Sequence, residues 1–455
     1  NPTPKRVQVA VVGGGLAGLT AARELEKHGL TVHLLEASER LGGKVATAYY
    51  EDGLSAEFGM QEMWTGSPLV GIARELGLEL EEGEAYSSVL LDGKLYPYAQ
   101  ETANAFFRSF LDEKEYEVQQ AWLRRSEVLY GGLEKTPLPP ELEALQDISF
   151  EQWLQEQKLP PKVAEWARLT LECELGADAA HFSALSGLAE FRQFMFKTEK
   201  AHHVVGGNSR LVEALAASIA GPKTLNARVT RVERSRDGAG RLTARVTFLK
   251  NNRTYTLEAD RVVLAVPWMV LNTLQLEPPL PPETWMSLMT IGRGQYVVVH
   301  FIADAKVHAL WGGAARSPFP VLTRGPLGVI YGPDGDGAAA GKLVFGLLVY
   351  GDHAKAFHMA PHDQKRTELL GELDALWPGF SKHVLSTSIY TYHPAAVPFW
   401  LVGRSPYDAQ AQALFEPKEG VYLAGDWLVS SHSEGAVIAG LRQARAIARE
   451  LAPAK

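Results

Sequence analysis

The sequence predicts an α/β fold: a Rossmann-type domain with a parallel sheet, interrupted by a discontinuous α+β domain. Three observations predict it. A strand, a glycine turn, a helix and a second strand open the chain; a strand, a Gly-Asp turn and a helix close it; and the residues between change character more than once. At 455 residues the chain is also too long for one core and reads as two domains.

Val9-Ala10-Val11-Val12 reads as an apolar strand, and Gly13-Gly14-Gly15-Leu16-Ala17-Gly18 as a G-x-G-x-x-G turn. A helix follows from about Leu16 to His28, then a strand, Val32-His33-Leu34-Leu35, ending at Glu36. Each part has a task in holding a dinucleotide. Gly13 permits the tight turn, Gly15 lets the backbone approach a pyrophosphate, and Gly18 lets the helix pack against the sheet. The pyrophosphate meets the helix N-terminus at Leu16 and Ala17, where unpaired N–H groups point outward. Glu36 stands 18 residues beyond Gly18, where an acid accepts ribose hydroxyls.

The acid is followed by Ala37-Ser38-Glu39-Arg40-Leu41-Gly42-Gly43-Lys44. This resembles the E-x-x-x-R-x-G-G-R extension of the flavoprotein superfamily of amine oxidases, protoporphyrinogen oxidases and carotenoid desaturases. The resemblance implies FAD rather than NAD, with Ala37, Arg40, Gly42, Gly43 and Lys44 joining Glu36 around it. Lys44 replaces the usual arginine, keeping the charge and losing the bidentate fork. Glu36 would repel an adenine 2′-phosphate, which disfavours NADPH.

Asp52 to Gln61 resembles the superfamily segment beneath the flavin, which brings in Gly59, Met60 and Gln61. Residues 84–200 carry Trp122, Trp153 and Trp166 and lack tight alternation, so they read as a mostly helical insertion. Val205-Gly206-Gly207-Asn208-Ser209-Arg210-Leu211 resembles the G-G-x-x-x-L return to the cofactor domain. Val229 to Val232 and Arg245 to Phe248 alternate like strands, and Asn251-Asn252 marks a hairpin. Val229 is counted among the cofactor-binding residues on the resemblance. The strand Arg261 to Val266 stops at Pro267. Residues 285–400 mix strand runs (Tyr296 to Phe301, Leu343 to Tyr350) with a helix from Gln364 to Leu376, and Gly332 to Gly337 reads as a flexible loop. No internal repeat is visible. The expected division is 1–83, 201–284 and 401–455 for the FAD-binding domain, and 84–200 and 285–400 for the substrate-binding domain, as in monoamine oxidase.

Gly420 to Trp427 is a short apolar strand ending in Gly425-Asp426, and Ser433-Glu434-Gly435-Ala436-Val437 opens a long helix carrying Gly440. This resembles the superfamily's closing motif, A-G-D followed by E-G-A-V-x-x-G. The resemblance implies that Asp426 bonds the ribityl or phosphate portion. It places Glu434, Gly435, Ala436 and Val437 at the flavin's pyrimidine edge, where a helix N-terminus stabilises the negative charge of a reduced flavin.

The resemblance is nearest to flavin monoamine oxidases. It implies hydride transfer from a neutral amine to flavin N5, hydrolysis of the imine, and reoxidation by O₂ to hydrogen peroxide. Three departures stand against it. Tyr296 falls where amine oxidases carry a lysine. Of the two cage aromatics, one falls to Phe399 or Trp400, while His432 takes the place of the other, a tyrosine. Tyr392-His393-Pro394-Ala395-Ala396-Val397-Pro398-Phe399 resembles the W-x-x-A-x-P-x segment of protoporphyrinogen oxidases and desaturases, and Ala424-Gly425-Asp426-Trp427 leans the same way. The catalytic candidates are therefore His432, as a neutral imidazole, Tyr296, Phe399 and Trp400. Desaturation of a large apolar or tetrapyrrole substrate, with a membrane-facing mouth, is the alternative. A flavin-binding protein without turnover is a third reading.

Hydrophobic residues at 46% and charged residues at 22% are ordinary for a globular protein, and the net charge of −8 gives no basic footprint for nucleic acid. No apolar run reaches the roughly 18 residues of a membrane span, and the start, Asn1-Pro2, shows no signal-peptide pattern. The single cysteine, Cys173, excludes an internal disulfide and fits a reducing cytoplasm. It lies far from the C-terminal segment where covalent-flavin cysteines occur, so FAD is expected to be non-covalent. His202-His203 has no ligand partner at metal spacing and reads as a pair of solvated loop histidines.

Overall fold

The computed structural model of the chain describes residues 6–83, 86–98, 103–191, 195, 200–313, 317–333 and 341–452. Of the loop expected at 332–337, everything from Asp334 onward lies outside the described residues, as do 84, 85, 99–102, 192–194 and 196–199 of the expected insertion.

The strand Arg6–Val12 pairs in parallel with Val32–Leu35 on one side and Arg253–Leu264 on the other. Its apolar run is unbroken because both faces are covered. Val9 and Val11 pack with the helix Leu16–Lys27, and Ala10 and Val12 pack on the opposite face. The sheet extends on one side through Lys223–Thr224, and on the other through the antiparallel strands Leu242–Lys250 and Arg228–Arg236 to Gln275–Glu277. Asn251 and Asn252 form the expected two-residue hairpin, with φ of 49° and 57°, the left-handed pair that a type I′ turn requires. Val421–Leu423 pairs in parallel with Val262 to Leu264, bringing the C-terminal segment beside the N-terminal turn.

The second sheet is led by two long antiparallel strands, Ile291–Asp304 and Val384–Trp400, followed by Lys342–Tyr350, Val329–Tyr331 and Val321–Leu322. It then takes in Ser88–Leu91 and Lys94–Tyr96. That hairpin is an addition to the mostly helical reading of 84–200, which saw no tight alternation there. Asp92-Gly93, with φ of 50° and 73°, is an Asp-Gly turn between apolar runs, a local signal that bulk composition concealed. Among the described residues the insertion is otherwise mostly helical, and it buries Trp122, Trp153 and Trp166 in one aromatic core with Phe107, Phe150, Phe182 and Phe191. His202 and His203 lie on the strand Ala201–Val204, not in a loop. His202 bonds Thr65 at 2.9 Å and His203 pairs with Glu81 at 3.2 Å, so the description of solvated, unpartnered histidines is corrected.

The last helix, Ser433–Leu451, lies directly on Leu16–Lys27. Gly440 makes this approach feasible: a Cβ there would stand 2.4 Å from the Ala17 carbonyl oxygen. Gly440→Val is expected to cost about 2 kcal/mol through overpacking, read as a lower thermal midpoint. An unchanged midpoint would show that the two helices do not depend on that contact.

Candidate cofactor and active site

The N-terminal turn is built for close backbone approach. Gly13 has φ of +106°, and a Cβ there would lie 2.3 Å from the Ala265 carbonyl oxygen; one on Gly18 would lie 1.9 Å from that of Gly13. Gly15 caps the helix Leu16–Lys27, and the nearest neighbour of a Cβ there is Gly43 Cα at 3.9 Å. The second glycine turn folds over the first. The Gly42 N–H donates to the Gly14 carbonyl at 2.8 Å, and a Gly43 Cβ would stand 3.1 Å from Gly15 Cα. The two turns therefore pack backbone to backbone at the start of the helix Leu16–Lys27, and Gly15 keeps its outer side open, with no atom beyond its chain neighbours closer than 3.9 Å to where its Cβ would stand. A pyrophosphate fits there.

Glu36 accepts from the Gly14 N–H and the Ser38 N–H, each at 2.7 Å. A carboxylate has about four lone-pair sites, so two remain for ribose hydroxyls. Ala37 is exposed next to it. The Ala227 N–H donates to the Glu36 carbonyl at 2.8 Å, so the strand carrying the buried Val229 starts beside Glu36. Arg40 turns its guanidinium onto its own loop, donating to the carbonyls of Leu41, Gly43 and Val45. In this structure its task is to fix the glycine turn.

Lys44 joins the two ends of the chain. Its ammonium pairs with Asp426 and donates to the Ala396 carbonyl at 2.7 Å. Asp426 is mostly buried and Lys44 nearly half exposed, so the pair contributes at most about 1 kcal/mol. Its consequence is placement. A Cβ on Gly59 would lie 2.0 Å from the Lys44 carbonyl oxygen, so the segment Glu57 to Gln61 lies on the same turn. Behind it, Asn208 donates to the carbonyls of Met60 and Gln61 at 2.9 and 3.0 Å, and buried Glu57 accepts from Thr47 and the Asn208 N–H.

Gly425 is extended at φ 166°, and a Cβ there would strike the Trp427 indole. Gly435 opens the last helix against the Ser430 carbonyl, which a Cβ would approach to 2.2 Å. Beside these residues lies a cavity of about 170 Å³. Phe399, Trp400, Tyr407 and Trp427 supply aromatic walls, and Glu190, Asp426 and Glu434 supply carboxylates. Ala436 and Val437 follow on the same helix, with Val437 buried, and Ile438 lines the cavity again. Phe399 and Trp400 are consecutive on one strand and belong to different cores, yet both border the cavity. The Arg404 guanidinium covers the Trp400 ring at 5.1 Å.

Two catalytic candidates are repositioned. The buried Tyr296 hydroxyl donates to the carbonyls of Cys173 (2.5 Å) and Glu174 (2.9 Å), where it binds the end of the helix Pro161–Leu175 to the sheet. Burial holds that phenol well above its ordinary range. His432 is not a neutral imidazole. Its nitrogens face Glu174 (3.6 Å) and Glu190 (3.4 Å), and although burial opposes the charge, the two glutamates win and raise its pKa to about 10. It is an imidazolium held between the insertion and the last helix. Glu174 and Glu190 escaped the sequence reading because nothing local marks them; only the packing of the helices brings them to His432.

A family model described as "Flavin containing amine oxidoreductase" matches residues 16–448. The chain is 28% identical to polyamine oxidase 4 of Oryza sativa subsp. japonica over 64% of its own length and 58% of that protein's, so the match spans little more than half of that relative. It is 25% identical to a 15-cis-phytoene desaturase of Glycine max over 99% of this chain and 81% of the other. In fold it is similar to a wild-type putrescine oxidase bound to putrescine, with a TM-score of 0.78, 22% identity, and coverage of 98% of this chain and 99% of that one.

Glu36→Ala should empty or greatly weaken the cofactor site, read as lost flavin absorbance in the purified protein; unchanged flavin content would remove Glu36 from the ribose site. His432 has a folded pKa near 10 against an ordinary value of 6.5. Its contribution to stability is therefore complete below about pH 6.5 and is lost as the pH rises through about 10. The gap in thermal midpoint between the wild type and His432→Gln should narrow across that window, and a pH-independent gap would contradict the ion triad.

Proposed function

We infer the chemistry of this site from a premise that the family match establishes: the chain belongs to the flavin-containing amine oxidoreductase family. The reading is an FAD-dependent amine oxidase with non-covalent cofactor and O₂ as acceptor. The chemistry that FAD supplies when bound is acceptance of two electrons as hydride. The glycine turns and Glu36 would hold its pyrophosphate and ribose. Asp426, Lys44 and the helix N-terminus at Glu434 to Val437 would hold the remainder.

The observation that carries the amine reading is the cavity, aromatic on its walls and acidic at Glu190 and Glu434. Aromatic faces and carboxylates together attract a cation. A bound ammonium would first release one proton to water, and its α C–H bond would then leave as hydride, with the nitrogen lone pair forming the C=N bond. Water then hydrolyses the imine to aldehyde and ammonia, and O₂ takes the two electrons and two protons as hydrogen peroxide. Phe399 and Trp400 orient the substrate, and positioning carries the step without a protein base on Tyr296 or His432.

The second reading is desaturation of a large apolar substrate, favoured by the likeness to phytoene desaturase across nearly the whole chain. An anaerobic titration separates the two. On the amine reading, primary or secondary amines bleach the oxidised flavin band, and readmitted air yields peroxide. A yellow protein that no amine bleaches supports the desaturase reading, and peroxide from any substrate removes a flavin protein without turnover.

A further inference from the structure

His300 stands outside the site described above, in the strand Ile291–Asp304, and is 1% exposed. Chemistry fixes the direction of both its hydrogen bonds. Nε2 lies 3.0 Å from the Glu57 carbonyl oxygen, which can only accept, so Nε2 carries the proton. Burial, opposed by that bond, lowers the pKa of the ring to about 4, so it is neutral at neutral pH. Nδ1 therefore accepts from the Tyr50 hydroxyl at 2.7 Å. With its one proton spent, Tyr50 accepts in turn from the Tyr390 hydroxyl. Phe58 closes the group, 5.6 Å from the His300 ring and edge-on to Tyr390 at 4.3 Å.

The result is a directed chain of donors, Tyr390 to Tyr50 to His300 to the Glu57 carbonyl. It begins on Val384–Trp400, the strand that also carries Phe399 and Trp400 in the cavity wall. It ends on the segment that packs through Gly59 against the Lys44 turn. Asn208 anchors that segment from the far side.

We propose that His300, oriented by Tyr50 and Tyr390, is a positioning residue that holds the Glu57 to Gln61 backbone against the cofactor cradle. The inference rests on the FAD reading above. A buried ring with two directed bonds has one productive tautomer, so the relay transmits a geometry and not merely a packed volume.

The test uses the holoenzyme forms of the wild type, His300→Phe, His300→Gln, Tyr50→Phe and Tyr390→Phe. Two quantities are measured: the rate of FAD loss on dilution and the flavin midpoint potential. His300→Phe loses both bonds and should release FAD about thirtyfold faster, with Tyr50→Phe near fivefold and Tyr390→Phe least, the scale of about 1 kcal/mol per hydrogen bond. His300→Gln, which donates through its amide nitrogen and accepts through its oxygen, should restore most of the wild-type rate. The midpoint potential should follow the same order, which a merely structural role, lowering only the thermal midpoint, would not produce. Wild-type values for His300→Phe, or a His300→Gln as impaired as His300→Phe, overturn the proposal. Should His300→Phe fail to fold, the glutamine rescue and the order of the two tyrosine variants decide in its place. A wild type that holds no FAD overturns the functional reading itself, and is told apart because it appears before any substitution.

Discussion

The parallel ladder around Arg253–Leu264 is the constraint on which the site depends. Its upper half is clamped between Arg6–Val12 and Val421–Leu423, so backbone hydrogen bonds set the two ends of the chain side by side. Side chains then work over short distances. Lys44 reaches Asp426, and Gly440 admits the last helix onto Ala17. Neither contact could bring together residues some 400 apart; each refines a register that the ladder has already set.

Charge is distributed with the same economy. The N-terminus of the helix Leu16–Lys27 meets little but glycine backbone and Glu36. The N-terminus of the last helix instead begins at a histidine, a cation at a positive dipole end, which on its own is unfavourable. Glu174 and Glu190 offset it, and in doing so they tie the helical insertion to the cofactor end of the chain. Glu190 also borders the cavity, so the acid that neutralises His432 is at the same time part of the cavity wall.

What the sequence disclosed follows from where each requirement is written. The glycine turns are legible because close backbone approach and positive φ leave few residues to choose from, as at Gly13, Gly42 and Gly43. The Asn251-Asn252 hairpin is legible because its turn chemistry is local. The Asp92-Gly93 hairpin carried the same kind of signal and was lost in the aromatic, helix-forming composition around it. Side-chain roles fared differently. Tyr296 occupies the position that motif spacing gives it, but its hydroxyl is taken by two helix-end carbonyls. His432 lies beside the expected segment, yet its protonation is decided by two glutamates more than 200 residues away. His300 had no signal at all: a lone histidine in an apolar strand looks like core until Tyr50 and Glu57 are seen beside it.

The most direct test of this account is the flavin stoichiometry of the purified wild-type chain, from its visible spectrum near about 450 nm and from the supernatant after denaturation. The account predicts one FAD per chain, released intact into solution when the protein unfolds. A colourless protein that takes up no added FAD would contradict the assembly of a dinucleotide site from the two ends of the chain.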